Sequence, residues 1–253
     1  MKKETANMLP RDVAGKLMPT IRDVLTNAER LLDDARYLFD FERYPSAFVL
    51  SVLAQEEYAK AFLLHLIDVN AIPWTPEVRR MLRDHTAKQL LSTIMDFLQP
   101  PDFDDFVIWV EKRSEWAEKR KESGYTIPPQ IRDALNIIRH EKVPKQREWT
   151  WIDKEDPPCD PQARKVADGD IDRQKQDALY VRVGKTGETI SSPTHITKER
   201  ASAEIEKTKK LSQVLPTYSD KIEPLKTIEY EKIFWMFRLL FGLSTIEEYE
   251  KNW

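Results

Sequence analysis

Apolar residues recur every three or four positions from Met18 to Asp40, at Ile21, Val24, Leu25, Ala28, Leu31, Leu32, Ala35, Leu38 and Phe39. Arg and Asp fill the gaps, so the period predicts an amphipathic helix with one buried face. A break at Glu42-Arg43-Tyr44-Pro45 follows, and Pro45 suits the first turn of a second helix. From about Ser46 to Val69 the polar face nearly vanishes, because Ala47, Phe48, Val49, Leu50, Val52, Leu53, Ala59, Phe62, Leu63, Leu66 and Ile67 point all round the axis. A helix of that kind is the central element of a bundle. Thr75-Pro76 supplies a cap and first turn for a third helix running to about Leu98, where Pro100-Pro101 stops it. Further helices are predicted from Asp104 to Lys121 and from Pro128 to about Glu141.

The second half is less regular. Val143 to Asp177 shows no clear period, is rich in Pro, Asp, Arg and Lys, and carries Trp149 and Trp151. It reads as an irregular excursion long enough to have a function, such as receiving a trigger or a partner. Leu179–Val183 and Glu188–Ile190 flank Gly184-Lys185-Thr186-Gly187, the pattern of a short hairpin. A charged helix from about Thr197 to Val214 and an aromatic-rich one from about Glu223 to Phe241 follow. The expected architecture is mainly α: an antiparallel helical bundle with a small β-hairpin and an irregular insertion. The expected parts are a helical core at 18–141, the insertion at 142–177, and 178–253 packing back on the core, one domain overall.

Composition supports that class and narrows the partners. The chain has 253 residues, 33% of them charged, with 6 Gly against 16 Pro. So little Gly argues against sandwiches, barrels and Gly-rich nucleotide-binding sheets. Forty basic against forty-three acidic residues leave a formal charge of −3, so nucleic acid and anionic membrane exert no strong global pull, though a local basic site stays open. The single cysteine, Cys159, forbids an intrachain disulfide and a Cys-rich zinc site. The first ten residues lack the apolar core of a secretory signal. Ala47–Ile67 is the one stretch with membrane-like hydropathy, and Glu56, Glu57 and Lys60 sit at its centre, where charge is costly in hydrocarbon. The chain therefore reads as cytoplasmic, with no membrane partner. Glu-x-x-His, His-Glu-x-x-His and Gly-x-Ser-x-Gly do not occur, and neither a cofactor nor a metal is expected.

Two clusters carry candidate chemistry. Gln55, Glu56, Glu57 and Lys60 interrupt the most apolar helix, with Glu56 four and Glu57 three residues before Lys60, so that both carboxylates are expected to reach the ammonium. Buried charge survives only when paired, and it marks either a site or an internal salt bridge. The second cluster, Arg79, Arg80, Arg83, His85 and Lys88, combines cations with an imidazole able to move protons near neutral pH. It also fits a solvated basic face. Gly184-Lys185-Thr186-Gly187 lacks the leading Gly of a phosphate loop and reads as a turn. His140 and His195 have no partner pattern.

Three pieces in order extend the reading: Asn27-Ala28-Glu29-Arg30-Leu31-Leu32-Asp33-Asp34-Ala35, Tyr44-Pro45-Ser46-Ala47, and Glu56-Glu57-Tyr58-Ala59-Lys60-Ala61. His85-Thr86-Ala87-Lys88 follows, then Lys175-Gln176-Asp177-Ala178-Leu179-Tyr180-Val181 and Ser192-Pro193. This order resembles the AbiV-type abortive infection proteins over about residues 20–215. The resemblance implies a HEPN-like helical bundle in bacterial defence against phage. Many HEPN proteins are dimeric, metal-independent ribonucleases with an Arg and a His separated by four to six residues. Here Arg80 and His85 fit, with Met81 at a position that is often polar. On a straight helix residues five apart lie about 140° apart, so a shared face requires a helix distortion or a partner subunit.

The resemblance thus implies an antiviral effector, a latent ribonuclease that cleaves RNA and arrests translation on infection. Its expected site residues are His85, Arg80, Lys88, Lys60, Glu57 and Glu56. RNA, a second copy in a homodimer and a phage-encoded trigger are the expected partners. The alternative is a non-catalytic binding module that sequesters a phage or translation component.

Overall fold

A computed structural model describes residues 11–98, 129–142, 161–215, 217–218, 221–222, 228–245 and 248. The helix expected from Asp104 to Lys121, together with Trp149, Trp151 and Cys159, lies outside the described residues. The described part is mainly α and HEPN-like. Its helices are α1 (Arg11–Asp40), α2 (Tyr44–Asp68), α3 (Pro76–Met81), α4 (His85–Phe97), α5 (Pro129–Ile137), α6 (Pro161–Ala167), α7 (Asp170–Leu179), α8 (Lys198–Leu211) and α9 (Ile228–Leu240). The chain continues from α5 into one π-helical turn, Ile138–Lys142.

Helix α1 begins earlier than its apolar period indicates and buries the expected stripe: Ile21, Ala28 and Ala35, each two helical turns apart, are 0% exposed. It ends in a tight turn. Glu42 adopts a left-handed φ of 59°, which lets its N–H reach the Phe39 carbonyl at 2.9 Å and Arg43 N–H reach that of Leu38 at 2.8 Å. Pro45 then starts α2, and the short connection sets the two helices antiparallel. Helix α2 is the axis of the bundle, contacted by α1, α4, α7 and α8. Phe48 and Phe62 on it are fully enclosed, and truncating such a side chain to Ala typically costs about 3–5 kcal/mol. Gln55 ties α8 to α2 by donating to Glu204 Oε1 at 2.7 Å and Thr208 Oγ1 at 3.0 Å.

Two expectations need correction. The third helix is not continuous to Leu98. It stops at Met81 and restarts at His85, where Asp84 caps the new helix by accepting from Ala87 N–H at 3.0 Å. The stretch expected to be irregular up to Asp177 instead holds α6 and α7. Gly169, with φ of 81°, takes the left-handed turn between them. Ala163, Val166 and Ala167 of α6 pack into the main core, and Ala178 of α7 joins Phe48, Val49, Val52, Ile196 and Ala201 in a second small core.

The expected hairpin is present as antiparallel strands β1 (Arg182–Val183) and β2 (Thr189–Ser191), closed by the Gly184–Gly187 turn. A second ribbon, β3 (Thr217–Tyr218) with β4 (Lys221–Ile222), was not signalled by the sequence pattern. No described helix is long and apolar enough to cross a membrane.

Candidate functional site

Neighbouring residues on an α-helix point about 100° apart, and α2 uses this to send its two glutamates to different places. Glu57 turns toward α1. Its carboxylate accepts from Lys60 Nζ at 2.7 and 3.0 Å and from Asn27 Nδ2 at 3.4 Å. Lys60 lies on the same side and borders an apolar groove of about 380 Å³ with Leu17, Val24, Leu64, Trp74 and Leu82. Glu56 turns the other way, toward α4 and α7, and is only 2% exposed. The expectation that both carboxylates reach Lys60 is thus corrected: Glu57 does, and Glu56 is held elsewhere.

Four donors surround the buried Glu56. Its Oε2 receives His85 Nδ1 at 2.5 Å and Lys88 Nζ at 3.1 Å, while Oε1 receives Lys175 Nζ at 2.5 Å and Gln89 Nε2 at 3.0 Å. Lys88, Gln89 and Lys175 are themselves buried. Burial alone drives the Glu56 carboxyl toward its neutral form. The Lys175 hydrogen bond, the charges of Lys88 and Lys175, and the His85 bond outweigh it and hold the pKa below its ordinary value.

The helix break explains how His85 comes to this carboxylate. Placed at the first turn of α4, it directs Nδ1 inward while 52% of its side chain stays exposed. A carboxylate accepts from an N–H, so in the neutral ring Nδ1 carries the proton and Nε2 the lone pair. The capping Asp84 is fixed in turn by Lys142 Nζ at 2.8 Å. Burial opposes its charge, but the bonds from Lys142 and from the Ala87 N–H hold its pKa below normal. His85, Thr86 and Arg83 form one wall of an open groove of about 540 Å³, and Asp168, Asp172 and Arg173 from the α6–α7 junction face them.

Three of the six expected site residues, Glu56, His85 and Lys88, therefore meet. Glu57 and Lys60 pair with each other on the α1 side and make no hydrogen bond to the imidazole. Arg80 is exposed, with Nη2 3.5 Å from Glu77 Oε1. The break relieves the straight-helix geometry, yet the guanidinium stays on its own helix and does not bond to His85. Arg79 is exposed as well.

Two members of the cluster were missed from the sequence, Gln89 and Lys175. Lys175 had a readable signal: Ile171, Lys175 and Ala178 follow the four-and-three step of a helix face, with a lysine in an apolar slot. A buried histidine also escaped notice. His65 near the end of α2 lies 2.8 Å from the Tyr230 hydroxyl of α9, and burial pushes its pKa down to about 4. Among the described residues, no group of three or more His, Cys, Asp or Glu is arranged to hold a metal ion.

An apolar central helix wrapped by others makes the described part a mainly α, HEPN-like helical bundle. Within that class the family model for AbiV matches residues 17–213, and the chain belongs to that family of abortive-infection proteins. The matched span takes in every residue of the Glu56 cluster and ends before α9. No curated protein and no solved structure shows significant similarity to the chain.

Proposed function

We propose that this abortive-infection protein is an effector of bacterial phage defence that acts as a latent, metal-independent ribonuclease. The observation that carries the reading is the His85 imidazole, anchored by Nδ1 on a buried, ionised carboxylate and half exposed at the wall of a groove. In the reaction, Nε2 takes the proton of an RNA 2′-hydroxyl as its oxygen attacks the adjacent phosphorus. The new 2′-O–P bond forms, the P–O5′ bond breaks, and the leaving 5′-oxygen takes a proton. The products are a 2′,3′-cyclic phosphate and a 5′-hydroxyl end. Arg83 in the groove wall and the exposed Arg80 are cations available to the phosphate. Lys88 acts through Glu56, on which its ammonium is spent. In a symmetric dimer the imidazole of a second copy supplies the proton to the leaving oxygen.

The test uses purified wild type and His85→Ala with total RNA in EDTA, with and without a phage-encoded trigger. Triggered wild type yields cyclic-phosphate ends and His85→Ala does not. Intact RNA with triggered wild type would end the nuclease reading.

A second reading has its own support, because the Glu56 cluster joins α2, α4 and α7 and so serves the fold directly. In that case the protein binds and sequesters a phage or translation component, and a folded His85→Ala variant still protects cells.

A further inference from the structure

Lys175 belongs to neither the α2 motif nor the segment around His85. It lies 119 positions beyond Glu56 and arrives on α7, with only 8% of its side chain exposed. A lysine that gives up hydration for its ammonium needs partners to replace it. Lys175 Nζ has two acceptors, Glu56 Oε1 at 2.5 Å and Asp172 Oδ1 at 3.0 Å, and it lies 3.4 Å from His85 Nδ1. The other buried lysine, Lys88, approaches Glu56 on the oxygen already shared with the imidazole, at 3.1 Å.

This division of the carboxylate has a chemical consequence. Lys175 and Gln89 occupy Oε1, which leaves Oε2 to His85 and Lys88. A carboxylate held at both oxygens cannot rotate freely, and its plane sets the plane of the imidazole that donates to it. The ammonium beside Nδ1 carries no lone pair, so it cannot accept the Nδ1 proton, and that proton is directed to Glu56. We infer that Lys175 is a positioning residue for His85: by holding Oε1 of Glu56 it fixes the carboxylate that receives Nδ1–H, and so presents the Nε2 lone pair to the groove. The geometric part stands alone, while its effect on turnover rests on the ribonuclease reading.

The experiment compares wild type, Lys175→Met, which keeps the length but removes the charge, and Lys175→Arg, which keeps the charge. Histidine ring nitrogens are observed by NMR in ¹⁵N-labelled protein, with His85 assigned from its loss in His85→Ala, and folding is followed by circular dichroism. Wild type shows a protonated Nδ1 with a strongly deshielded proton and an unprotonated Nε2. In folded Lys175→Met the deshielded proton signal is lost and both tautomers appear, and Lys175→Arg restores the wild-type pattern. An unchanged tautomer in folded Lys175→Met overturns the inference. Where Lys175→Met does not fold, the wild-type spectrum decides, because a neutral ring protonated on Nε2 overturns it without any variant. In the triggered RNA assay Lys175→Met lowers kcat on the order of tenfold with KM unchanged. A raised KM at constant kcat marks a substrate contact and overturns positioning. If wild type cuts no RNA, the ribonuclease reading fails and the NMR outcome still judges Lys175.

Discussion

His65 and His85 stand on consecutive long helices, and each is bonded through one ring nitrogen, yet their surroundings are opposite. His65 is 3% exposed, its bonded partner is the neutral Tyr230 hydroxyl, and burial keeps its ring uncharged. His85 is half exposed, and its partner is an ionised carboxylate flanked by two buried ammoniums. The first arrangement consumes the ring in packing. The second immobilises one nitrogen and leaves the other open, which proton transfer requires. A histidine's place on an apolar helix therefore says less about its role than the charge of its partner and the exposure of its second nitrogen.

The largest expected effect comes from breaking the charged side of this contrast. Glu56→Gln leaves Lys88 and Lys175 buried without their carboxylate, and removing one partner of a buried pair costs about 3–5 kcal/mol. Urea denaturation at neutral pH measures it, and a loss under about 1 kcal/mol would show that the cluster is not a buried ion pair.

The neutral side breaks with acid. His65 has a folded value of about 4 against an ordinary 6.5, so the unfolded chain binds its proton first. Its contribution is whole above pH 6.5 and declines as the pH falls toward 4, by about 3 kcal/mol in all. Glu56 and Asp84 act lower. Their folded values lie below the ordinary 4.5 and 3.8, so their contribution is whole above those values and is lost as the pH falls through the depressed ones. Stability curves for wild type and His65→Gln separate the two windows, because the variant loses the slope between pH 6.5 and 4 and keeps the lower one.

Tyr230→Phe sharpens the comparison from the partner's side. It removes the hydroxyl from the buried His65 ring, and leaving such a group unsatisfied costs about 1–3 kcal/mol, read from the thermal midpoint. The smallest effect is Glu57→Gln. Its pair with Lys60 is partly solvated, at 17% and 28% side-chain exposure, so about 1 kcal/mol or less is lost, and added salt reduces the difference. Equal losses for Glu56→Gln and Glu57→Gln would erase the distinction between the two faces of α2.

Much of the fold was legible because periodicity reports burial directly. Helices α1 and α2 and the β1–β2 hairpin follow their apolar pattern and turn residues. The break before α4 was hidden because the apolar period runs on through Val78, Met81 and Leu82, and Asp84 becomes a cap only when the backbone turns there. Helices α6 and α7 were hidden by a weak apolar face of small residues, with Lys175 in one of its slots. At the site, His85, Glu56 and Lys88 stood out as charges in or beside apolar segments. Their separation from Glu57 and Lys60 did not, since spacing alone allows either glutamate to reach Lys60.

By itself the sequence determined a mainly helical bundle around α2, the residue types that carry charge into it, and the order of motifs that marks the family. Only the tertiary structure decided which glutamate holds His85 and that a lysine from α7 completes the cluster. The physical reason is rotation: the period of a helix says which side chains share a face, and only packing against α1, α4 and α7 sets where each face points.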